Sequence, residues 1–596
     1  MAPRPSGCAA LFALLVPSIV AAATDGPAPC DSSRSPWILP AEAEDPDSET
    51  GWATFAWDGF VALCWPQRAE GSPGEPDVTT NLCETPSGRP VFLQWVLKNQ
   101  LLLPDGASPG SWTDRTFRTP TYTPPDGGPT RPLLGVLAMN SSPDLLDEFE
   151  EAFSNAPLID QNGEYVLFQI FVNRSEFEYF SQTGYYDAAN QYAAFQPGGS
   201  FRHLPSTGQP DDFSPPIPLP DYARQGAIEL KAAWKQLTPA EAASNRYIMQ
   251  EVYYASNLTG ADPPCGPVAV GLVGLHVMQL TPSTERTFFW STFEQVDNVD
   301  LLPGNPTGVP SFNPGPDMGC PPPYENGYSC NGSSCTPSEP GGTGDCPPFP
   351  PTADQPPDVC QSDPSAAVNV SRIPEMTTPP EVEAVNDAYR ASLPAPYRYY
   401  RLLNTMHPLE GGPCCVPPDE DNTVNACYMT NVTMETYTQY YQFIPLPRCN
   451  GPKTPALSVN CTDCHALGAP LGAPLADGGP YPDPAYQIFT FLLMDAKNSC
   501  PADLNYDRIV DSLDLNLLLQ AWGNPGTTDL SGTGVTDGAD LGQLLAAWGA
   551  CASERPVPPA RLGPDPRPQT GFRRLASRVE APLPIHVPGE RRRHRP

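Results

Sequence analysis

The sequence is poor in positive charge. It has 33 lysine and arginine residues against 67 aspartate and glutamate residues, which gives a formal net charge of −34 over 596 residues. A surface with this balance repels nucleic acid and anionic membranes, so neither is expected as a partner. The sequence also has no phosphate-binding loop and no serine or cysteine triad. After residue 23 no apolar run reaches the roughly 20 residues that span a bilayer, so no membrane span is expected in the mature chain.

The N-terminal segment is typical of an export signal. Arg4 is the only basic residue before an apolar run from Cys8 to Ala23, and this run ends in three alanines typical of a cleavage site. The run is too short for a membrane anchor, which is the alternative interpretation. We therefore expect a secreted or periplasmic protein, an environment in which many of its 18 cysteines can form disulfides.

The length of the chain, with its 81 prolines and 48 glycines, predicts several domains separated by irregular segments. Between these segments the apolar pattern predicts an α+β protein. Helices are predicted at Trp52–Trp65, Asp144–Phe153, Glu176–Phe180, Pro380–Leu393 and Met434–Phe443. Strands are predicted at Tyr165–Val172, Arg246–Tyr254, Val268–Leu280 and Thr287–Phe293. The stretch Ala227–Leu237 is predicted to begin as a strand and to continue as a helix.

The stretch Cys461-Thr-Asp-Cys464-His465 has the spacing of a covalent haem c attachment site. Two thiols separated by two residues can add to the two vinyl groups of one haem, and the imidazole that follows then ligates the iron. A redox disulfide and half of a zinc site are the alternatives. The Pro/Gly-rich surroundings disfavour the first, and the lack of a second ligand pair at suitable spacing disfavours the second. We expect one haem c.

The sixth ligand of the iron is left open by the sequence. Met494 lies 29 residues after His465 and could supply a thioether, although it could equally be a core methionine. His276 is a rival. Further candidates are Met406, His407, Met429 and Met434. A five-coordinate iron with an open position is the remaining alternative, and this choice separates an electron carrier from a haem enzyme.

Two calcium-type loops follow near the C-terminus. The first places oxygen ligands at positions 1, 3, 5, 7, 9 and 12 of a loop, with a backbone carbonyl at position 7: Asp503, Asn505, Asp507, Ile509, Asp511 and Asp514. The layout recurs 26 residues later: Asp529, Ser531, Thr533, Val535, Asp537 and Asp540. Each loop opens an apolar helix that ends in Ala-Trp-Gly. The alternative is an acidic helix pair that binds no ion.

This duplicated unit resembles the type I dockerin repeat, a small module that folds around calcium. The resemblance implies two Ca²⁺ sites formed by the loop residues above, an all-α pair of helices and a cohesin-like partner. Arg508 stands where that family usually has glycine, which predicts a strained turn. Ser531 and Thr533 replace the usual acids or amides, which predicts a weaker second site. Cys500 and Cys551 bracket the module and are candidates for a disulfide.

The large region before these motifs resembles a group of secreted bacterial proteins of cytochrome c type that end in one CxxCH motif. The matching pieces are FAWDGFVALCWP (55–66), FVNRSEFEYF (171–180), AIELKAAW (227–234), GLVGLHVMQL (271–280), FFWSTFEQVDNVD (288–300) and CTDCHA (461–466). The resemblance implies covalent haem and export, and it implies no particular reaction. Gln295 replaces a common histidine, and Cys64 replaces a usual asparagine. Glu294, Asp297 and Asn298 either line a polar pocket or, as we favour, fix the chain.

These observations predict the following order along the chain: signal peptide 1–23, mixed α/β region 24–300, Pro/Gly/Cys-rich insertion 301–364, haem c segment 365–499, calcium module 500–551 and disordered Arg/Pro-rich tail 552–596. Three functions are compatible with this order. The protein could carry electrons to a redox partner, could act as a haem enzyme such as an oxidase, peroxidase or dehydrogenase subunit, or could be an assembly protein that docks through the calcium module. The sequence identifies no substrate and no catalytic residue.

Overall fold

The structure is a computed structural model. It describes residues 29–84, 86, 88–103, 106–113, 121–134, 158–254, 264–284, 287–313, 328–330, 335–337, 367–368, 370, 372, 378–407, 429–436, 461, 465, 468–475, 483, 486, 488 and 490–551. The predicted signal peptide, most of the predicted insertion and the predicted tail lie outside these ranges. No helix within them is both long enough and apolar enough to span a membrane.

The core of the described chain is a nine-stranded sheet. Its strands are β1 (Val96–Leu97), β2 (Thr121–Tyr122), β3 (Arg131–Leu134), β4 (Leu167–Val172), β5 (Ile228–Gln236), β6 (Met249–Tyr254), β7 (Cys265–Gln279), β8 (Phe289–Gln295) and β11 (Tyr400–Met406). The path is β1-β4-β5-β7-β6-β3-β2, and β8 and β11 extend the sheet from β7. All pairs are antiparallel except β3 with β6. Two short pairs lie outside the sheet: β9 (Tyr328–Cys330) with β10 (Cys335–Pro337), and β12 (Ile509–Val510) with β13 (Gly549–Ala550).

The long strand β7 divides the sheet. One edge of β7 pairs with β5 from Val270 to Gln279. Its other edge is shared, because β6 pairs with the first half and β8 with the second half. Gly274 lies in the second half, where a Cβ atom would come within 2.1 Å of the Thr433 Oγ1 atom. Glycine at this position therefore lets the segment 429–436 lie directly on the sheet.

Helices flank the sheet and form part of the C-terminal module. Their bounds are α1 (Glu49–Cys64), α2 (Lys98–Leu101), α3 (Arg174–Thr183), α4 (Ala188–Ala194), α5 (Pro239–Ala243), α6 (Pro380–Ser392), α7 (Ser512–Gln520) and α8 (Gly538–Ala546). Side-chain caps fix where they begin: Ser48 Oγ accepts a hydrogen bond from Gly51 N in α1, and Asn173 Oδ1 accepts one from Glu176 N in α3. Such caps satisfy backbone N–H groups that have no partner inside the helix.

Helices α1 and α6 cover one face of the sheet, which we call the aromatic face. Phe60 of α1 stacks on Phe293 of β8 at 4.6 Å between ring centroids. Trp57 stacks on Tyr389 of α6 at 5.2 Å, and its Nε1 atom donates to Asn386 Oδ1 at 2.9 Å. Buried aromatic rings of this size contribute strongly to stability, and the loss of one costs about 3–5 kcal/mol.

The α+β class predicted from the sequence is confirmed. The predicted helices at Trp52–Trp65, Glu176–Phe180 and Pro380–Leu393 correspond to α1, α3 and α6, and the four predicted strands correspond to β4, β6, β7 and β8. The prediction that Ala227–Leu237 continues as a helix is wrong, since Ile228–Gln236 is a strand throughout. Hydrogen bonding to β4 and to β7 outweighs the helical preference of its leucine, lysine and alanine residues.

Two predicted helices cannot be compared in full. Asp144–Phe153 lies outside the described residues. Of Met434–Phe443 only residues 434–436 are described, and these lie in turns and a bend rather than in a helix.

The C-terminal module has a small core of its own. Ala502, Val510, Leu518 and Leu544 form it, and Leu518 and Leu544 occupy equivalent positions in α7 and α8. A disulfide joins Cys500 to Cys551, as predicted, and a second disulfide joins Cys30 to Cys83. The disulfide compensates for a core that is too small to stabilise about 50 residues alone.

Candidate functional site

The candidate site lies on the second face of the sheet, which we call the polar face. Paired residues on neighbouring strands share a face because side chains alternate along a strand. One row of paired residues crosses this face: Glu229, Met278, Trp290 and Met406. The next row is Lys231, His276, Thr292 and Asn404. Polar and sulfur-bearing side chains therefore concentrate on the face opposite to α1.

The CxxCH residues that the structure describes lie against this face. Cys461 and His465 are both in helical conformation, and a spacing of four residues places them on the same side of a helical turn. The His465 ring contacts Trp290 at 4.5 Å and Phe491 at 4.6 Å, both measured between ring centroids. The Cys461 Sγ atom lies 3.9 Å from the carbonyl oxygen of Met429. Cys464 lies outside the described residues.

Several buried polar atoms of the described chain have no hydrogen-bond partner. Among the described residues, Trp290 Nε1 has no acceptor, His276 Nδ1 has no partner, and one oxygen of Glu229 and both carboxyl oxygens of Glu176 have no donor while both groups are ionised. Each such atom costs about 1–3 kcal/mol when it is buried without a partner. Of these atoms the Trp290 N–H is a donor, and a propionate carboxylate of haem could accept its hydrogen bond. The helical conformation of Cys461 and His465, four residues apart, and the Trp290 N–H fit a haem held by Cys461, Cys464 and His465.

His276 is engaged by a carboxylate. Its Nε2 atom lies 2.8 Å from Glu435 Oε1, and the other Glu435 oxygen accepts a hydrogen bond from Asn431 N at 2.7 Å. Burial by itself raises the pKa of Glu435, but the charge and hydrogen bond of His276, with help from Lys231, hold that pKa below its usual value. Since Glu435 holds the imidazole through Nε2, only Nδ1 of His276 is left for another ligand.

The other predicted candidates for the sixth ligand lie in different places. Met494 is 42% exposed, in the 3-10 helix Leu492–Asp495. His407 stacks on Trp52 of α1 at 4.8 Å, on the aromatic face and therefore away from His465. Met406 shares a row with Trp290, and Met429 and Met434 are buried in the segment 429–436. Three of them adjoin residues that contact the CxxCH motif: Met406 pairs with Trp290, the Met429 carbonyl lies near Cys461, and Met494 N donates to the Phe491 carbonyl.

The polar residues that follow Trp290 in the stretch 288–300 hold neighbouring segments of the chain in place. Glu294 Oε1 accepts a hydrogen bond from Val432 N at 2.7 Å, and its other oxygen pairs with Arg372. Asp297 accepts two hydrogen bonds from Arg246, both at 2.6 Å. These contacts agree with the structural interpretation of Glu294 and Asp297.

The remaining two motif residues act in the same way. Asn298 Nδ2 donates to the Val273 carbonyl at 2.8 Å. Gln295 hydrogen-bonds Asp297, and its register places it on the aromatic face, so it does not point toward His465.

Carboxylates of the first calcium-type loop bind backbone N–H groups of the same loop. Asp503 accepts hydrogen bonds from Asp507 N at 3.0 Å and from Arg508 N at 2.7 Å. Asp514 accepts them from Leu504 N and from Asp511 N. Burial raises the pKa of Asp503 to about 6, and the charges of Asp514 and Asp507 act in the same direction. A cation at this position would offset the repulsion between these carboxylates.

The second loop repeats this pattern. Asp529 accepts hydrogen bonds from Thr533 N at 3.0 Å and from Gly534 N at 2.7 Å, and Asp540 accepts one from Ser531 N at 2.7 Å. Nowhere in the described ranges do three or more His, Cys, Asp or Glu side chains converge as a metal-binding group. The loops would therefore need neutral oxygens, such as the Asn505 amide, the Ile509 and Val535 carbonyls and the Ser531 and Thr533 hydroxyls, to complete a calcium shell.

Two residues of the first loop attach the module to the rest of the protein. Tyr506 and Arg508 have φ angles of 60° and 67°, in the left-handed region, where the second loop has Gly532 and Gly534. The Tyr506 ring stacks on Tyr192 of α4 at 4.4 Å. The Arg508 guanidinium pairs with Asn190 and lies 3.8 Å from Asp187. The departure from glycine that the sequence revealed therefore coincides with a docking contact, and the strained backbone is as expected.

The module presents an unusually apolar surface. Of the large apolar residues that are exposed in the described chain, eight lie in the module: Ile509, Leu513, Leu517, Leu519, Trp522, Val535, Leu545 and Trp548. Three pairs among them are related by the internal duplication: Ile509 with Val535, Leu519 with Leu545, and Trp522 with Trp548. Clustered exposed apolar residues of this kind usually mark an interaction surface.

Sequence reasoning missed Glu176, Glu229 and Met278. Each lies inside a stretch that the sequence singled out, yet none was assigned a role. The available signal was an acidic residue between apolar neighbours in a strand, as Glu229 is in Ala227-Ile-Glu-Leu. Charged side chains are rarely buried without a specific reason.

Comparisons with protein-family models, with curated proteins and with solved structures found no match to this chain. Its function is therefore argued from its own residues.

Proposed function

We propose that the protein is an exported c-type haem protein that transfers single electrons, with haem c attached to Cys461 and Cys464 and ligated by His465. The observation that supports the proposal is that Cys461 and His465 both have helical conformation, four residues apart, with the imidazole in contact with Trp290 and with Phe491. The haem would supply a ferric–ferrous couple. Trp290 and Phe491 hold the orientation of the imidazole, and the buried polar face keeps water away from it.

The size of the sheet favours a role beyond a bare carrier. A carrier needs only about 100 residues, whereas the described sheet alone begins at Val96 and ends at Met406. The same protein could therefore be the redox part of a haem enzyme. Carbon monoxide or cyanide binding to the purified protein separates these roles. Rapid binding indicates an open iron position and an enzyme, and no binding indicates a closed carrier.

The first experiment is a pyridine haemochrome spectrum together with the intact mass, on protein exported by a host that matures c-type cytochromes. We expect a Soret band and the mass of the polypeptide plus one haem. Cys461→Ser with Cys464→Ser should abolish both. Cys64→Ala is the matched control, because Cys64 is a buried thiol on the aromatic-face helix α1 that forms no disulfide. Wild-type protein with the bare polypeptide mass would refute the proposal.

A second function, docking through a calcium-loaded module, is favoured by the exposed apolar residues of α7 and α8. We propose that the C-terminal module binds two Ca²⁺ ions and that a cohesin-like partner covers its apolar surface. The alternative function of the whole chain, an extracellular assembly protein in which haem is secondary, rests on this module. Purified cohesin domains should bind the full chain in calcium, and chelation should release them. Binding that is insensitive to chelation would contradict a calcium-dependent module.

A further inference from the structure

Two buried glutamates on the polar face are not explained by haem attachment. Glu229 lies near the start of β5 and pairs in register with Val172, the last residue of β4. Glu176 lies in the first turn of α3, which begins directly after β4. Glu176 is fully buried and Glu229 is 6% exposed. The end of β4 and the first turn of α3 therefore lie beside the start of β5, and the Glu176 and Glu229 side chains interact with each other in the interior.

As two carboxylates this pair would be unfavourable. Both oxygens of Glu176 and one of Glu229 have no donor among the described residues. Burial, and then the charge of Glu229, raise the pKa of Glu176 well above its usual value. Burial also raises the pKa of Glu229 to about 7, although a hydrogen bond from Thr490, and one from Glu176 when Glu176 is protonated, oppose the rise. A proton between the two groups supplies the missing donor and removes one charge, so the pair titrates as a unit.

The other charged groups that face the pair come from neighbouring elements. Lys98 of α2 lowers the pKa of Glu229, and Asp495 of the 3-10 helix raises it. These two side chains form a salt bridge of 2.7 Å with each other, so their effects on the pair largely cancel. Tyr179 of α3 faces Glu176 as a neutral phenol, since burial raises its pKa well above the usual value. The number of protons bound by Glu176 and Glu229 should therefore respond to any additional charge that appears close to the pair.

Two structural connections join the pair to His465. The Thr490 side chain hydrogen-bonds Glu229, and the next residue, Phe491, contacts the His465 ring. Across the sheet, Glu229 pairs with Met278 and Met278 pairs with Trp290, which also contacts His465. Glu229 and Trp290 are thus separated by two strand spacings, which amount to about 10 Å. At a separation on the order of 10–15 Å, one unit charge changes the proton affinity of a partly buried group about tenfold.

We propose that the Glu176–Glu229 pair is the proton site that accompanies one-electron reduction of the protein. The pair binds one proton from solvent when the iron accepts an electron from the redox partner, and it releases that proton when the electron leaves. The only bond formed or broken in the pair is one O–H bond, and the net charge of the buried face stays constant. The inference rests on the proposed haem function.

The test is a spectroelectrochemical titration of the haem-loaded protein between about pH 6 and pH 9. We expect the midpoint potential to fall as the pH rises. The slope should approach its limit for one proton per electron, about 59 mV per pH unit, which equals a tenfold change in the reduction equilibrium constant. Glu176→Gln and Glu229→Gln, measured separately, should each flatten the slope. Glu178→Gln should keep it, because Glu178 lies on the same helix but pairs with Arg174 at 3.3 Å.

A wild-type potential that does not change with pH, or a slope that survives both substitutions, overturns the proposal. Protein isolated without haem instead overturns the proposed function and, with it, the coupling to reduction. The shared proton is then judged separately by infrared difference spectroscopy between the haem-free wild type and Glu176→Gln. A protonated carboxyl band that is lost in the variant supports the pair, and identical spectra refute it.

Discussion

The ring of His465 lies 4.5 Å from the ring of Trp290, with the two planes inclined at 62°. Trp290 is 3% exposed, and its Nε1 atom has no hydrogen-bond partner within the described ranges. The contact joins the CxxCH turn to the central sheet, so the position of the imidazole depends on a strand residue that lies 175 positions earlier in the chain.

Trp290→Ala should destabilise the protein by about 3–5 kcal/mol, because it removes a large buried ring from the polar face. Trp290→Phe keeps the ring contact and removes the unpaired N–H group, so its cost should be well below that of alanine. Equilibrium denaturation of both variants measures the difference. Equal losses of unfolding free energy in the two variants would mean that the indole N–H makes a stabilising hydrogen bond.

Asp297→Asn should cost about 3–5 kcal/mol, because the substitution leaves the buried Arg246 guanidinium without its counter-charge. Glu251→Gln is the matched control. It breaks a surface pair with Arg131 and should cost no more than about 1 kcal/mol. Denaturation midpoints of the two variants give the comparison. A small effect of Asp297→Asn would show that the two hydrogen bonds to Arg246 survive with a neutral amide.

Glu229→Gln should stabilise the protein at alkaline pH. Burial raises the folded-state pKa of Glu229 to about 7 from an ordinary value of 4.5. A raised folded-state pKa gives stability that is complete below the unfolded-state pKa and is lost as the pH rises through the folded-state value. The wild type should therefore lose on the order of 3 kcal/mol relative to the variant between pH 5 and pH 9. Thermal unfolding across this range checks the sign, and a variant that follows the wild type would contradict it.

Asp503→Asn and Asp529→Asn should each remove one of two calcium ions from the module. The site that remains in Asp503→Asn should be the weaker one, because Ser531 and Thr533 are poorer ligands than Asn505 and Asp507. Isothermal titration calorimetry on the full chain measures the number of sites and their affinities. The absence of calcium binding by the wild type would reject both sites together.

Tyr506→Gly should loosen the module from α4 while it leaves the fold of the module intact. The substitution relieves a left-handed φ of 60° but removes the stack on Tyr192. Limited proteolysis near Ser499, at the junction between the two parts, should become faster. Leu513→Gly is the control, because Leu513 is exposed and lies at the start of α7, away from α4. Unchanged proteolysis in Tyr506→Gly would mean that Arg508 and the hydrogen bonds of Ser499 to Asp187 hold the module without the ring contact.

The sequence predicted local elements better than it predicted their partners. The aromatic spacing of Trp52–Trp65 identified α1, and the β-branched run at Val268–Leu280 identified β7. The strand at Ile228–Gln236 was only half predicted, because pairing on both edges decides its conformation and leaves no local signal. The duplicated loops revealed both the disulfide of the module and the strained position of Arg508.

The site was only partly predictable. Spacing alone made Cys461 and His465 candidates for haem attachment, since the chemistry of that motif is local. Glu176 and Glu229 lie 53 residues apart, and only the register between β4 and β5 brings them together. The same limit applies to His407, which lies on the opposite face from His465 because side chains alternate along a strand and the preceding Met406 lies on the polar face.

The seating of the first loop on α4 has a consequence for recognition. An internally duplicated module has two nearly equivalent ends, and a partner could approach such a pseudo-symmetric surface in either of two orientations related by a half turn. Here one end of the module is occupied, because Tyr506 and Arg508 contact α4. Any partner that binds this surface is therefore expected to meet the module in one orientation only, on a fixed side of the sheet domain.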